Sequence, residues 1–226
     1  HMSGIGGNEP TGYNYTAAST LKQRAESLAT QLEGQAGSRA SLVSQAMQEF
    51  RGYYSEVFEN NAGIASGGQE QLASSLRSLA GFVQELRDAA EAEDQRRQAA
   101  REWAERQRQR EQDWFSGVIH EVGTFLRLVE DDPMPPPAEP APNRTAQTVT
   151  VEGREFPAPG GGSSTSSAVP ADLRSFQTGI QGLDAEVGSP FRNFDAALTD
   201  YAMMCNGRWG NLDAQSLVAA LREWFE

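Results

Sequence analysis

Residues Glu49–Phe58 read EFRGYYSEVF, four aromatics gathered around the single glycine Gly52. They stand between two stretches with the periodicity of amphipathic helices. Upstream, Leu21, Ala25, Leu28 and Leu32 recur at 4-3-4 spacing, and the stripe resumes at Val43, Met47, Phe50, Tyr54 and Val57. Downstream, Leu72, Leu76, Leu79, Val83, Leu86 and Ala90 repeat it at 4-3-4-3-4. Apolar residues at this spacing line one face of a helix, so the chain reads as two helical arms with facing seams.

Two places compete for the turn between the arms. One is the aromatic–glycine stretch itself, at 50–53. The other is Asn60–Gly68, NNAGIASGG, the richest run of turn formers in this half, with Ser66 available as a cap. By composition the second is preferred, which predicts arms near 17–60 and 69–112. Gly34 and Gly37 predict a kink in the first arm, because each costs about 1 kcal/mol inside a helix. Residues 3–15 are rich in Gly and Asn and read as loosely ordered.

Between 87 and 113 seven arginines and eight acids crowd the chain, with Glu93–Arg97 and Glu102–Arg106 at i,i+4. That pattern predicts a solvated helical extension. Trp114, Phe115, Val118, Ile119, Val122, Phe125 and Leu126 then fall on one helical face. This face is expected to fold back on the hairpin, dock a partner or, through 114–129, lie on a membrane interface.

Pro133, Pro135, Pro136 and Pro137 end that helix and open a linker over 131–169. Inside it TVTVEGREF alternates around Gly153 and predicts a small β-hairpin, and PAPGGGSSTSSAVP predicts a flexible tether. A smaller helical block follows over 170–226. It reads as a helix carrying Leu173, Phe176, Ile180, Leu183 and Val187, and a second, after Pro190, carrying Phe191, Phe194, Leu198 and Tyr201. CNGRWGNLD is a turn, and a last helix carries Leu217, Leu221 and Trp224. That final apolar face runs to Glu226, which predicts a longer parent protein.

Composition narrows the function. Of 226 residues, 31 are acidic and 19 basic, for a net charge of −12. So acidic a chain lacks the clustered positive charge that nucleic acids and anionic membranes require. Eighteen of the basic residues are Arg, a bias typical of GC-rich genomes. His1-Met2 reads as a tag remnant, which leaves one cysteine, Cys205, and one histidine, His120, in separate blocks. No Cys/His pair, metal-ligand cluster or phosphate loop is legible, so neither cofactor nor catalysis is expected. No basic-then-apolar signal peptide and no run of eighteen apolar residues is present.

Phe50-Arg51-Gly52, an aromatic–any–glycine triplet, is followed by Phe58 eight positions after Phe50. With leucine-seamed arms on either side, residues 16–112 resemble the WXG-type helical hairpins exported by type VII (ESX-like) secretion systems. A longer relative is the N-terminal export module of polymorphic toxins. The resemblance implies that the motif lies near the bend of a two-helix hairpin, that Phe50 and Phe58 pack across the seam, and that Gly52 lets the backbone turn. Phenylalanine stands where the family has tryptophan, and the family's export tag is missing after the second arm, where Trp103 is followed by Gln107.

The expectation is therefore an all-α chain: a long antiparallel hairpin with an amphipathic extension (16–130), a linker (131–169) and a second helical block (170–226). Such a thin hairpin needs cover for its seam, from a small helical-hairpin protein or from self-association into a four-helix bundle. The implied function is a non-catalytic export-targeting and docking module, secreted without a signal peptide, at the N-terminus of a larger effector. A cytoplasmic coiled-coil scaffold is the alternative.

Overall fold

A computed structural model describes residues 7–115, 132–157 and 165–225. Its described residues form four helices and two short strands: α1 (Tyr15–Met47), α2 (Tyr53–Phe115), β1 (Asn143–Thr145), α3 (Pro170–Met204), β2 (Asn211–Asp213) and α4 (Gln215–Phe225). The fold is all-α, and α1 and α2 pack together as a long antiparallel hairpin.

Asn14 starts α1, its side-chain oxygen accepting the Ala17 amide at 2.9 Å. The helix then runs unbroken through Gly34 and Gly37. Neighbours support it there: Gln35 donates to the Leu183 carbonyl at 2.8 Å, and Arg39 pairs with Asp184 at 2.7 Å. The hairpin turn occupies 48–52, not 60–68. Asn60–Gly68 lies inside α2, which is 63 residues and, at 1.5 Å per residue, about 95 Å long. Tertiary contacts override the poor helix propensity there. Gly68 is buried against the Trp224 ring, the Trp224 indole donates to the Ala65 carbonyl at 3.0 Å, and Gln69 donates to the Leu32 carbonyl.

The Leu21–Leu32 and Leu72–Ala90 seams face each other as their spacing demands, but the stripe expected to resume through Phe50 and Tyr54 does not, since Phe50 lies in the turn and Tyr54 is exposed. Leu21, Leu28 and Leu32 of α1 and Leu72, Leu76, Leu79, Val83 and Leu86 of α2 are fully buried. The same core takes in Val187, Phe194 and Tyr201 of α3, and Leu217 and Leu221 of α4. Helix α3 runs antiparallel to α1: Tyr13, just before α1, bonds Tyr201, and Gln35 bonds Leu183. Helix α4 runs antiparallel to α2, Leu86 lying beside Gly210 and Ala65 beside Trp224. The cover the hairpin needs is thus supplied within the chain, by α3 and α4.

Helix α3 also corrects an expectation, because it continues through Pro190 as one helix of 35 residues. An interior proline forfeits one backbone hydrogen bond. Val187 and Phe194, both fully buried, anchor the turns on either side of it in a single core.

The N-terminal segment, expected to be loosely ordered, is docked from Asn8 onward, the Asn8 and Glu9 carbonyls accepting from Arg101 and Arg97. Thr11 donates its amide (2.7 Å) and hydroxyl (2.9 Å) to Asp94, Tyr15 donates to the same carboxylate, and Tyr13 is buried. Glu93, expected on a solvated face, is buried and gripped by Arg96 and Arg97 at 2.8 and 2.6 Å. Arg106 pairs with Asp132 at 3.0 Å.

Residues 132–157 of the linker form a strap. Asp132 is clasped by Arg106 and Arg110, its carbonyl accepting the Trp103 indole. Arg144 pairs with Glu85, and Glu155 exchanges hydrogen bonds with Asn61. From Asp132 to Glu155 the chain advances twenty-three residues while its contacts on α2 move back forty-six, from Arg106 to Asn60. At about 3.1 Å per extended residue and about 1.5 Å per helical residue, both spans come to roughly 70 Å. The strap is therefore nearly fully extended, antiparallel to α2.

No β-hairpin forms in TVTVEGREF. Its Val149 is buried because one side of the strap rests on the bundle. The strand pairing lies elsewhere, β1 running parallel to β2 with Arg144 opposite Leu212. Gly210, at φ +83°, lets β2 pass against Pro142 and Leu86, where a side chain would collide.

Candidate docking site at the helix bend

Helix α1 frays at Gln48, and the Phe50 amide reaches the Met47 carbonyl at 3.4 Å. The Arg51 guanidinium then turns back to donate to the carbonyls of Met47 (3.1 Å) and Phe50 (2.9 Å). It satisfies helix-terminal acceptors and places positive charge at the negative end of the α1 dipole. Gly52 follows at φ +91°, a backbone region that other residues enter at a cost. Its carbonyl accepts the Ser55 amide at 3.0 Å and the Ser55 hydroxyl at 2.6 Å, and α2 begins.

This bend brings together the three residues singled out in the sequence. The Phe50 and Phe58 rings lie 5.8 Å apart and tilted by 60°. Gly52 makes the turn between them. Phe58 also meets Phe176 of α3 edge-on at 4.9 Å, so the cluster joins the turn to α2 and α3. Tyr53 and Tyr54 sit edge-to-face at 5.5 Å, with Tyr54 45% exposed.

The linker returns at this point. The Arg51 amide donates to the Ser167 carbonyl at 2.8 Å, and the Ser167 amide to the Arg51 carbonyl at 3.0 Å, an isolated antiparallel bridge. The Tyr54 amide lies 3.4 Å from the Ser166 hydroxyl. A Cβ on Gly52 would stand 2.8 Å from Ser166 Cα and 2.9 Å from the Thr165 carbonyl oxygen. Glycine is thus required twice, for the dihedral and for the close approach. Nothing in the sequence near Thr165, Ser166 and Ser167 marks them as partners of residue 52. The one available signal is Pro170, which forces the preceding residues into an extended path.

The predicted docking surface is only partly placed. Trp114 and Phe115 form the end of α2, while Val118, Ile119, Val122, Phe125 and Leu126 lie outside the described residues. At the opposite end of the bundle, Tyr13 and Tyr201 share a hydrogen bond of 2.9 Å, and burial pushes both hydroxyls above their ordinary range. The Cys205 thiol is raised by burial as well and donates to the Asn14 carbonyl at 3.3 Å, so it acts as packing. Among the described residues, no group of three or more His, Cys, Asp or Glu side chains is placed to hold a metal, and no helix is long and apolar enough to cross a membrane. An open groove of about 570 Å³ lies between α3, α4 and the strands, lined by Leu198, Ala202, Asn206, Val218 and Arg222. No family model matches the chain, and neither a curated protein nor a solved structure matches it.

Proposed function

We propose that this chain is a non-catalytic export-targeting and docking module of a type VII (ESX-like) secretion substrate, the N-terminal part of a larger secreted effector. The observation that carries the reading is the bend. An aromatic–x–glycine triplet and a second aromatic eight residues on meet at the turn of an antiparallel helical hairpin, Phe50 against Phe58, with Gly52 at positive φ. Exposed Tyr54, with half-buried Tyr53 packed edge-on against it, offers a partner an amphipathic surface. Secretion without a signal peptide, and a small helical partner that brings the missing export tag, belong to the same proposal. Because α3 and α4 already cover the seam, such a partner docks at the bend or along 114–129.

Export into the medium by cells with an intact type VII apparatus, and its loss when the apparatus is deleted, tests this reading. Export that survives the deletion, or none in either strain, sinks it. The covered seam favours one rival, a cytoplasmic helical scaffold, since a bundle completed within the chain stands without an obligate partner.

A further inference from the structure

The bend already carries a ligand, a piece of the chain itself. We infer that Thr165–Ser167 is an autoinhibitory latch, an extended segment seated on the Arg51–Gly52 backbone whose release opens the bend to an extended, small-residue segment of a partner protein. The inference rests on the bend being a docking site.

The seat has the features of strand recognition. Arg51 offers both its amide and its carbonyl, and Ser167 uses both, at 2.8 and 3.0 Å. Main-chain pairing of this kind supplies affinity with little regard to sequence, and the neighbouring side-chain space sets selectivity. Here that space is almost nil. Ser166 Cα and the Thr165 carbonyl rest directly over Gly52, and the small Ser166 side chain brings its hydroxyl to the Tyr54 amide in the first turn of α2.

The latch is built to open alone. Arg51, Thr165 and Ser167 are exposed, so water competes for the bridge. Two or three hydrogen bonds are set against the entropy of ordering three residues of a serine-rich run, a nearly even balance. The strap is held independently, at Asp132, Arg144 and Glu155. Lifting Thr165–Ser167 leaves those contacts in place and does not disturb the core. It uncovers the Arg51 edge and the first turn of α2, where Tyr53 and Tyr54 stand.

Hydrogen exchange on the full chain tests this. Ser167→Pro removes the amide that donates to Arg51 and lies outside every helix. Exchange at the Arg51 amide should rise at least tenfold while Leu28 and Leu76 keep their protection, and a synthetic peptide of residues 163–169 added in trans should restore Arg51 protection. Ser166→Ala should speed exchange at Tyr54 and leave Arg51 unchanged. Arg51 exchange that is unmoved by Ser167→Pro, or not restored by the peptide, overturns the latch. Export separates the two claims. A variant that opens by exchange should be exported more readily than wild type; export at the wild-type rate overturns the regulatory role and leaves the export reading standing. If neither is exported, the export reading falls, and exchange still decides whether the latch exists.

Discussion

Phe50 and Phe58 lie on opposite sides of the bend with ring centroids 5.8 Å apart, and Phe58 continues the contact to Phe176 at 4.9 Å. One ring thus ties the turn, the start of α2 and the start of α3. Phe58→Ala is expected to cost about 3 kcal/mol, as large aromatic truncations do. A double-mutant cycle with Phe50→Ala should give a coupling of about 0.5–1.5 kcal/mol, measured by urea unfolding. Additive effects would mean that the two rings do not pack together in solution.

Two glycines predict opposite signs. Gly52→Ala places a Cβ against Ser166 at a φ of +91° and should lower stability by about 1–2 kcal/mol from the dihedral alone. Gly63→Ala, inside α2 with nothing near its Cβ position, should raise stability by about 0.5–1 kcal/mol. Thermal melts of both variants check the pair. A destabilised Gly63→Ala would return the turn to 60–68.

Acid should loosen the grip on the N-terminal segment. Burial raises Asp94, but the Thr11 amide, the Tyr15 hydroxyl and the Thr11 hydroxyl donate to it and hold it below the ordinary carboxylate range. Hydrogen bonds from Arg96 lower Glu93 as well, against burial and with help from Arg97. A carboxylate depressed in the folded state stabilises fully above its unfolded pKa, about 3.9 for Asp and 4.3 for Glu, and loses that contribution as pH falls through the folded value. Melting temperature should hold between pH 7 and 5 and drop below about pH 4, less steeply in Asp94→Asn than in wild type. Equal slopes would remove Asp94 from the account.

Because α3 and α4 complete the bundle, the intact chain should sediment as a monomer at micromolar concentration. A version ending at residue 169 exposes the apolar faces that α3 and α4 cover and should self-associate. A stable dimer of the intact chain would show that the covered seam is not the whole of the packing.

The seams were legible because Leu21–Leu32 and Leu72–Ala90 repeat at the helical period, and burial follows that period directly. The place of the turn was harder to read. Asn60–Gly68 has the better turn composition, yet Trp224, more than 150 residues away in sequence, holds it helical through Ala65 and Gly68. Pro190 misled in the same way, its local cost offset by Val187 and Phe194 in the core. At the bend Phe50, Gly52 and Phe58 could be picked out, while Ser166, Ser167 and Phe176 could not. Their pairing with the bend spans more than 100 residues and leaves no local pattern. By composition the linker reads as a stiff proline run, a small β-hairpin and then a flexible tether, and only the contacts of 132–155 along α2 show that stretch extended.

The most direct test of the central claim is export of full-length protein carrying Tyr53→Ser and Tyr54→Ser, beside wild type, in cells with an intact type VII apparatus. Tyr54 is exposed and neither tyrosine belongs to the core, so circular dichroism should show an unchanged fold. The account predicts that the variant accumulates inside the cell while wild type reaches the medium. Export of the folded variant at the wild-type rate would contradict it.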